Sequence, residues 1–268
     1  TPRHLVDLNF IPGTSYIHRN GALRFGAMTR HAEIADSGEA ARLPILHDCA
    51  AGIADPQVRH LGTIGGSLAE ADPTGDWAPV LLATGATVHT FGADGKRSID
   101  INDFILDAFT SALEPGELVT EITVPLPPER ESGVPGESRV LTRRGGSGGA
   151  YIALKRCAPV YASASIAVQL ALDTDGQTCT GARVCLGVLG LTATRVTAAE
   201  EALRGQPIAA QQIESVRQAV MDIAQPMADM RGSAEYKRQA AGALAKLAVE
   251  AALKRARGEH VEVSHLYA

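Results

Sequence analysis

Apolar and polar positions fall into two rhythms along the chain. In the first half, short alternating runs at 4–8, 15–18 and 22–27 read as strands, the last two joined by Asn20-Gly21, a pair that favours a tight hairpin turn. Residues 39–53 place Leu43, Leu46, Cys49, Ala50 and Ile53 near helical spacing and predict a helix with Pro44 in its first turn. A shorter helix is expected over 76–84, closed by Gly85. Runs at 86–91 and 97–101 flank a Gly-Ala-Asp-Gly turn as a second hairpin, and 117–124 alternates as a strand up to Pro125.

From Pro125 to Gly149 the composition shifts to Pro, Gly, Glu, Ser and Arg, which reads as a linker. Beyond it, strands at 162–173 and 180–189 precede helices at 197–204, 209–223 and 233–257. On the last helix Tyr236, Ala240, Ala243, Leu244, Leu247 and Ala251 are assigned to the apolar face. Strands followed by helices give an α+β class, and no internal repeat is visible.

Composition narrows the function. The 268 residues are 45% hydrophobic and 21% charged, enough for one large or two ordinary domains with a buried core. With 25 Lys and Arg against 30 Asp and Glu, no global basic field attracts nucleic acid. The clusters Arg139 to Arg144 and Lys254 to Arg257 read as a solvated loop and a cationic helix end. The four cysteines lack C-x-x-C spacing, so reduced thiols are expected rather than a metal or iron–sulfur site in this chain. No apolar run reaches the ~18 residues of a membrane span, so the chain is expected to be cytoplasmic, or carried elsewhere by a partner. The chain opens on Thr1 without an initiator Met and turns apolar after three residues, as if partway into a larger unit.

The stretch 53–67, IADPQVRHLGTIGGS, carries the candidate chemistry. A Gly-Gly pair followed by a small hydroxyl lets backbone N–H groups converge into an anion-binding nest, with Thr63 and Ser67 adding hydroxyls; Gly-Gly-Ser is equally ordinary turn chemistry. It matches neither the G-x-G-x-x-G dinucleotide fingerprint nor a phosphate-binding Gly-Lys-Ser/Thr loop. Downstream, Asp72 before Pro73 suits a turn and Asp76 a helix N-cap; as ligand contacts they would accept from sugar or base groups rather than meet phosphate. Lys155-Arg156 reads as a solvated pair.

Together with HLVDL, LRFGAMTRHAEI, SALEPGELVTEITVP, GGAYIALKR and RGSAEYKRQ, the stretch IADPQVRHLGTIGGSLAEADPTGDW resembles the FAD-binding medium subunit of molybdenum hydroxylases, the group of aerobic carbon monoxide dehydrogenase and xanthine dehydrogenase. The resemblance covers nearly the whole chain. It implies an FAD-binding domain of the vanillyl-alcohol-oxidase type at 1–127, a linker at 128–149 and a smaller α+β flavoprotein domain with a long terminal helix at 150–268. By motif, Thr63, Ile64, Gly65, Gly66 and Ser67 would form the second pyrophosphate loop. Asp76 would contact FAD, Ile53 and Val119 would line its site, and Tyr161 would lie beside the flavin ring. The family's first glycine loop is expected upstream of His4, so the sequence as it stands would carry half the site. At 159–160 Pro-Val replaces the Gly-Asp that often precedes the Tyr.

No nucleophile elbow or metal cluster is visible, so no residue of this chain is expected to be catalytic. The resemblance implies an oxidoreductase component of a heterotrimer. A large subunit would hold the molybdenum cofactor, a small subunit the iron–sulfur clusters, and FAD here would pass electrons to a quinone, oxygen or another protein. The competing readings are a flavin-free scaffold of the same complex and a free-standing flavin oxidase.

Overall fold

A computed structural model describes residues 3–127, 145–263 and 265–267. A hairpin of β1 (Ile17–Arg19) and β2 (Ala22–Gly26) leads into five short helices: α1 (His31–Ala35), α2 (Pro44–Gly52), α3 (Pro56–Leu61), α4 (Ile64–Glu70) and α5 (Trp77–Thr84). Strands β3 (Thr87–Gly92) and β4 (Gly95–Asp100), a small hairpin of β5 (Ile105–Asp107) and β6 (Thr110–Ser111), and β7 (Leu118–Pro125) complete this half. The second half runs β8 (Ser147–Lys155), β9 (Ala164–Leu172), β10 (Cys179–Gly187), β11 (Thr194–Arg195), α6 (Thr197–Leu203), α7 (Ala210–Ile223), α8 (Ala234–Ala256) and β12 (Leu266–Tyr267). Among the described residues no helix is long and apolar enough to cross a membrane.

Two five-stranded sheets result, ordered β1-β2-β7-β3-β4 and β11-β10-β9-β8-β12. The helices α2 and α5 lie between them, while α6 and α8 cover the far face of the second sheet. One core therefore joins Leu23, Phe25, Ile122 and Val124 of the first sheet, through Leu46, Trp77 and Leu81, to Tyr151, Ala153 and Ala167 of the second. Alternate residues of the same strands, Ile152, Ile166 and Val168, face the second core beneath Val216, Leu244, Ala248 and Ala252. A strand buried on both faces shows no polar alternation, which is why β8 escapes a period-two reading.

Several local expectations change. Residues 4–8 form no strand, and Leu5 and Val6 are exposed and unpaired among the described residues. The 39–53 helix breaks at Leu43, which leaves the helical region (φ −117°, ψ 87°) as a following proline requires, and α2 opens on Pro44. Most of the predicted linker, 128–144, lies outside the described residues, as do Arg139 to Arg144; its last three residues, Ser147–Gly149, belong to β8. Gly148 serves close approach rather than flexibility: a Cβ there would meet the α8 backbone at Ala256 N and Ala252 O, 2.3 and 2.4 Å away.

The buried face of α8 also differs from the expected one. Tyr236, Ala243 and Leu247 are exposed, and the buried stripe runs through Lys237, Ala241, Leu244, Ala245 and Ala248. A lysine marks that stripe because its Nζ bonds Met227 O at 2.8 Å and pairs with Asp229 at 2.8 Å, so the ammonium is satisfied inside. Sequence periodicity treats such a residue as solvent-facing.

Candidate cofactor site

A cavity of about 630 Å³ opens where α2, α3 and α4 meet the segment after β8. Ile53, Thr63, Gly66, Ser67, Asp76 and Tyr161 all line it. Ile64 and Gly65 point away into packed interior, and Val119 packs from β7 against the first core, so these three are not in the wall.

The wall begins where α2 ends. Ile53 leaves the helix in an extended conformation and Ala54 takes a positive φ of 41°, uncommon for a residue with a side chain. Arg59 holds this reversal, its Nη1 donating to Ile53 O at 2.7 Å and Ala54 O at 3.0 Å. Asp55 then caps α3 by accepting from Val58 N at 2.9 Å, with Pro56 at the first helical position.

The glycine stretch is the first turn of α4, not an open nest. Thr63 caps it, its Oγ1 accepting from Gly66 N at 3.1 Å. Ser67 N donates to Thr63 O at 3.0 Å, Ile64 N to Thr29 O at 3.1 Å and Gly65 N to Ala27 O at 2.9 Å. Four amides that a nest would aim at an anion are thus already used. What the turn offers the cavity is the hydroxyls of Thr63 and Ser67. Gly65 is required by packing, since a Cβ would stand 2.6 Å from Ala27 Cβ. A run of Gly, Gly and Ser is a poor helix former, so propensity conceals α4 and these tertiary bonds impose it.

Asp76 precedes α5 with helical backbone angles and makes no cap bond. Its Oδ1 instead accepts from the fully buried Tyr151 hydroxyl at 2.5 Å, and Lys155 Nζ lies 3.7 Å from Oδ2. Lys155 overturns the solvated-pair expectation. Its side chain is 1% exposed and donates to Gly52 O at 2.7 Å, tying β8 to the end of α2. Burial, then the Asp76 charge, push the Tyr151 phenol well above its ordinary range. Neither Tyr151 nor Lys155 is visible as a site residue in sequence, because each sits in an apolar-looking run. Asp72 makes the expected turn, accepting from Thr74 N at 2.8 Å, and also lines the cavity.

At the mouth Tyr161 is 58% exposed, and the carboxylates of Asp72, Glu70 and Asp76, after partial burial, raise its phenol pKa. On the opposite lip Arg30 donates to Leu61 O and, at 2.5 Å, to Asn9 Oδ1. His31 beside it is buried, and its Nδ1 accepts from Trp77 Nε1 at 3.1 Å. Burial, with Arg30 and Arg59 nearby, lowers its pKa to about 4, so it is neutral near pH 7.

The lining carries more than one kind of group. Hydroxyls and a guanidinium at Arg30, Thr63 and Ser67 suit phosphate oxygens, and the carboxylates of Asp72 and Asp76 suit sugar hydroxyls. Ile53, Leu61 and Val160 provide apolar wall for a ring. The residues present therefore fit FAD, and fold and site define a flavin-nucleotide-binding protein.

The comparisons give the family. Residues 1–127 match the family model of the FAD binding domain in molybdopterin dehydrogenase, and residues 149–252 that of the CO dehydrogenase flavoprotein C-terminal domain. The chain belongs to the family of FAD-binding medium subunits of carbon monoxide dehydrogenase-like molybdenum hydroxylases, and is an oxidoreductase component. It is similar to the carbon monoxide dehydrogenase medium chain of Afipia carboxidovorans, with 36% identity over 96% of this chain and 84% of the relative. The 6-hydroxypseudooxynicotine dehydrogenase complex subunit alpha of Paenarthrobacter nicotinovorans is 34% identical over 98% and 84%. A solved carbon monoxide dehydrogenase from Hydrogenophaga pseudoflava superposes with a TM-score of 0.85 at 35% identity, covering 95% of this chain and 83% of that one.

Proposed function

We propose that this chain is the medium subunit of a heterotrimeric molybdenum hydroxylase and carries electrons from the iron–sulfur clusters of a small subunit, through FAD in the cavity described, to an external acceptor such as a quinone, oxygen or another protein. The molybdenum cofactor and substrate oxidation belong, in this reading, to a large partner subunit. We also read residues 1–127 as the FAD-binding domain and 150–268 as the flavoprotein domain joined to it.

The observation that carries the reading is the composition of the cavity wall. Thr63, Ser67 and Arg30 come from the first family segment, Lys155 and Tyr161 from the second, and both are needed to enclose the space. In this reading the wall binds and orients the cofactor. When bound, FAD supplies the one- and two-electron chemistry that side chains lack. The chain's own residues have narrower roles: Thr63 and Ser67 donate to phosphate oxygens, Asp76 accepts from hydroxyls under the control of Tyr151 and Lys155, and Ile53 with Val160 excludes water from the ring.

The test uses purified protein with and without its partners. The expected result is yellow protein that releases FAD on denaturation and whose flavin is reduced only when both partners and their substrate are present. Colourless protein that still assembles would indicate a scaffold. Flavin reduction by a small substrate without other subunits would indicate a free-standing oxidase.

A further inference from the structure

His31 lies outside the residues that the motif assigns to the cofactor, yet its surroundings single it out. It opens α1 beneath the lip formed by Leu61, Gly62 and Thr63, and its side chain reaches the cavity although the residue is only 3% exposed. The tautomer follows from its partner. An indole N–H can only donate, so the Trp77 bond makes Nδ1 the acceptor and leaves the proton on Nε2. That Nε2 has no hydrogen-bond partner among the described residues.

Gly62 explains why Nε2 stays uncovered. A Cβ built on Gly62 would lie 2.7 Å from it, so any other residue would obstruct the N–H. The backbone there is ordinary, with φ −68° and ψ 147°, and would tolerate a side chain. The missing Cβ is therefore a matter of space at the imidazole, not of backbone conformation.

We propose that His31 is a cofactor-binding residue: locked by Trp77 as the Nε2–H tautomer, it donates across the gap at Gly62 to an anionic phosphate oxygen of the bound dinucleotide. The proposal rests on FAD occupying this cavity. Phosphate is a matching acceptor because Arg30 and the hydroxyls of Thr63 and Ser67, which line the same cavity, can donate beside it, the cavity's carboxylates Glu70, Asp72 and Asp76 coming from the later segment 70–76. A neutral imidazole adds a directed donor there without another charge to desolvate. Trp77 is a positioning residue, acting only through the ring it orients.

The test is titration of the apoprotein with FAD, followed by flavin fluorescence, with ADP as a competing pyrophosphate probe. Wild-type protein that binds neither ligand would remove the underlying FAD reading and this proposal with it. Where wild type binds, His31→Phe is expected to weaken FAD and ADP by the same factor, about ten- to a hundredfold, as for loss of a hydrogen bond to a charged group. His31→Gln has both an oxygen to accept from Trp77 and an N–H to donate, and is expected to restore most of the affinity. Gly62→Ala keeps the histidine but places a Cβ 2.7 Å from Nε2, so the ring must shift; it should weaken FAD and ADP by the same factor as each other, as His31→Phe does, with some loss of thermal stability. The proposal is overturned if Gly62→Ala binds both ligands as wild type does, or if His31→Gln is as weak as His31→Phe while equally folded.

Discussion

Replacement of Arg255 by Met should cost about 3–5 kcal/mol of stability and loosen a cavity that Arg255 never touches. Its guanidinium grips the Asp48 carboxylate in two bonds, 2.6 Å to Oδ2 and 2.9 Å to Oδ1, with side chains only 7% and 1% exposed. It also donates to Gly149 O at 2.7 Å and to Val261 O at 2.8 and 3.0 Å. Without it, Asp48 keeps Tyr151 N–H at 3.1 Å and otherwise becomes a buried, uncompensated charge. At this chain length the loss corresponds to roughly 6–20 °C in melting temperature. Because the clamp fixes α2 to α8 and β8, and α2 ends in the Ile53 wall, FAD affinity should fall as well. Urea unfolding with flavin titration reads both effects. Adding Asp48→Asn should recover part of the loss by deleting the stranded charge. A single-variant cost below about 1 kcal/mol, or a double variant no better than the single, would refute the claim that the pair is a desolvated clamp.

Three further expectations separate structural from cofactor roles. Gly65→Ala should destabilise by about 1–3 kcal/mol through its clash with Ala27, whereas Ser67→Ala should weaken FAD binding with the unfolding midpoint unchanged; calorimetry and flavin titration distinguish them. Tyr151→Phe should cost about 1–3 kcal/mol and lower FAD affinity, since Asp76 loses its 2.5 Å phenolic donor while the ring still fills the core. In the first sheet, hydrogen bonding to Arg97 holds the Glu117 carboxyl at about 2, below the ordinary 4.5. A carboxylate with a depressed folded pKa contributes stability above its unfolded pKa and loses it as pH falls toward the folded value. Stability should therefore decline from about pH 4.5 toward pH 2, and Arg97→Gln should flatten that decline in acid unfolding curves.

Much of the fold was legible in sequence. The Asn20-Gly21 hairpin, the helix closed by Gly85 and the three C-terminal helices fall where turn chemistry and periodicity put them. What was hidden had specific causes. Strand β8 is apolar on both faces and opens with glycines that look like linker but admit α8; α4 is built from poor helix formers; and the α8 stripe is marked by a buried, satisfied lysine. Site recognition from motif brought together Ile53, Thr63, Gly66, Ser67, Asp76 and Tyr161 around one cavity. Tyr151, Lys155 and His31 were not legible because their roles rest on partners 75, 103 and 46 residues away in sequence, at Asp76, Gly52 and Trp77. Such pairings exist only after folding. The backbone nest was the opposite case, a local pattern whose donors folding consumes at Ala27, Thr29 and Thr63.

The most direct test of the account is anaerobic reduction of the flavin, followed by its absorbance, in the assembled complex and in this subunit alone. Rapid bleaching is expected in the complex on addition of the large subunit's substrate, and none in the isolated subunit. Bleaching in the isolated subunit, or a fully assembled and active complex with no flavin in this chain, would contradict it.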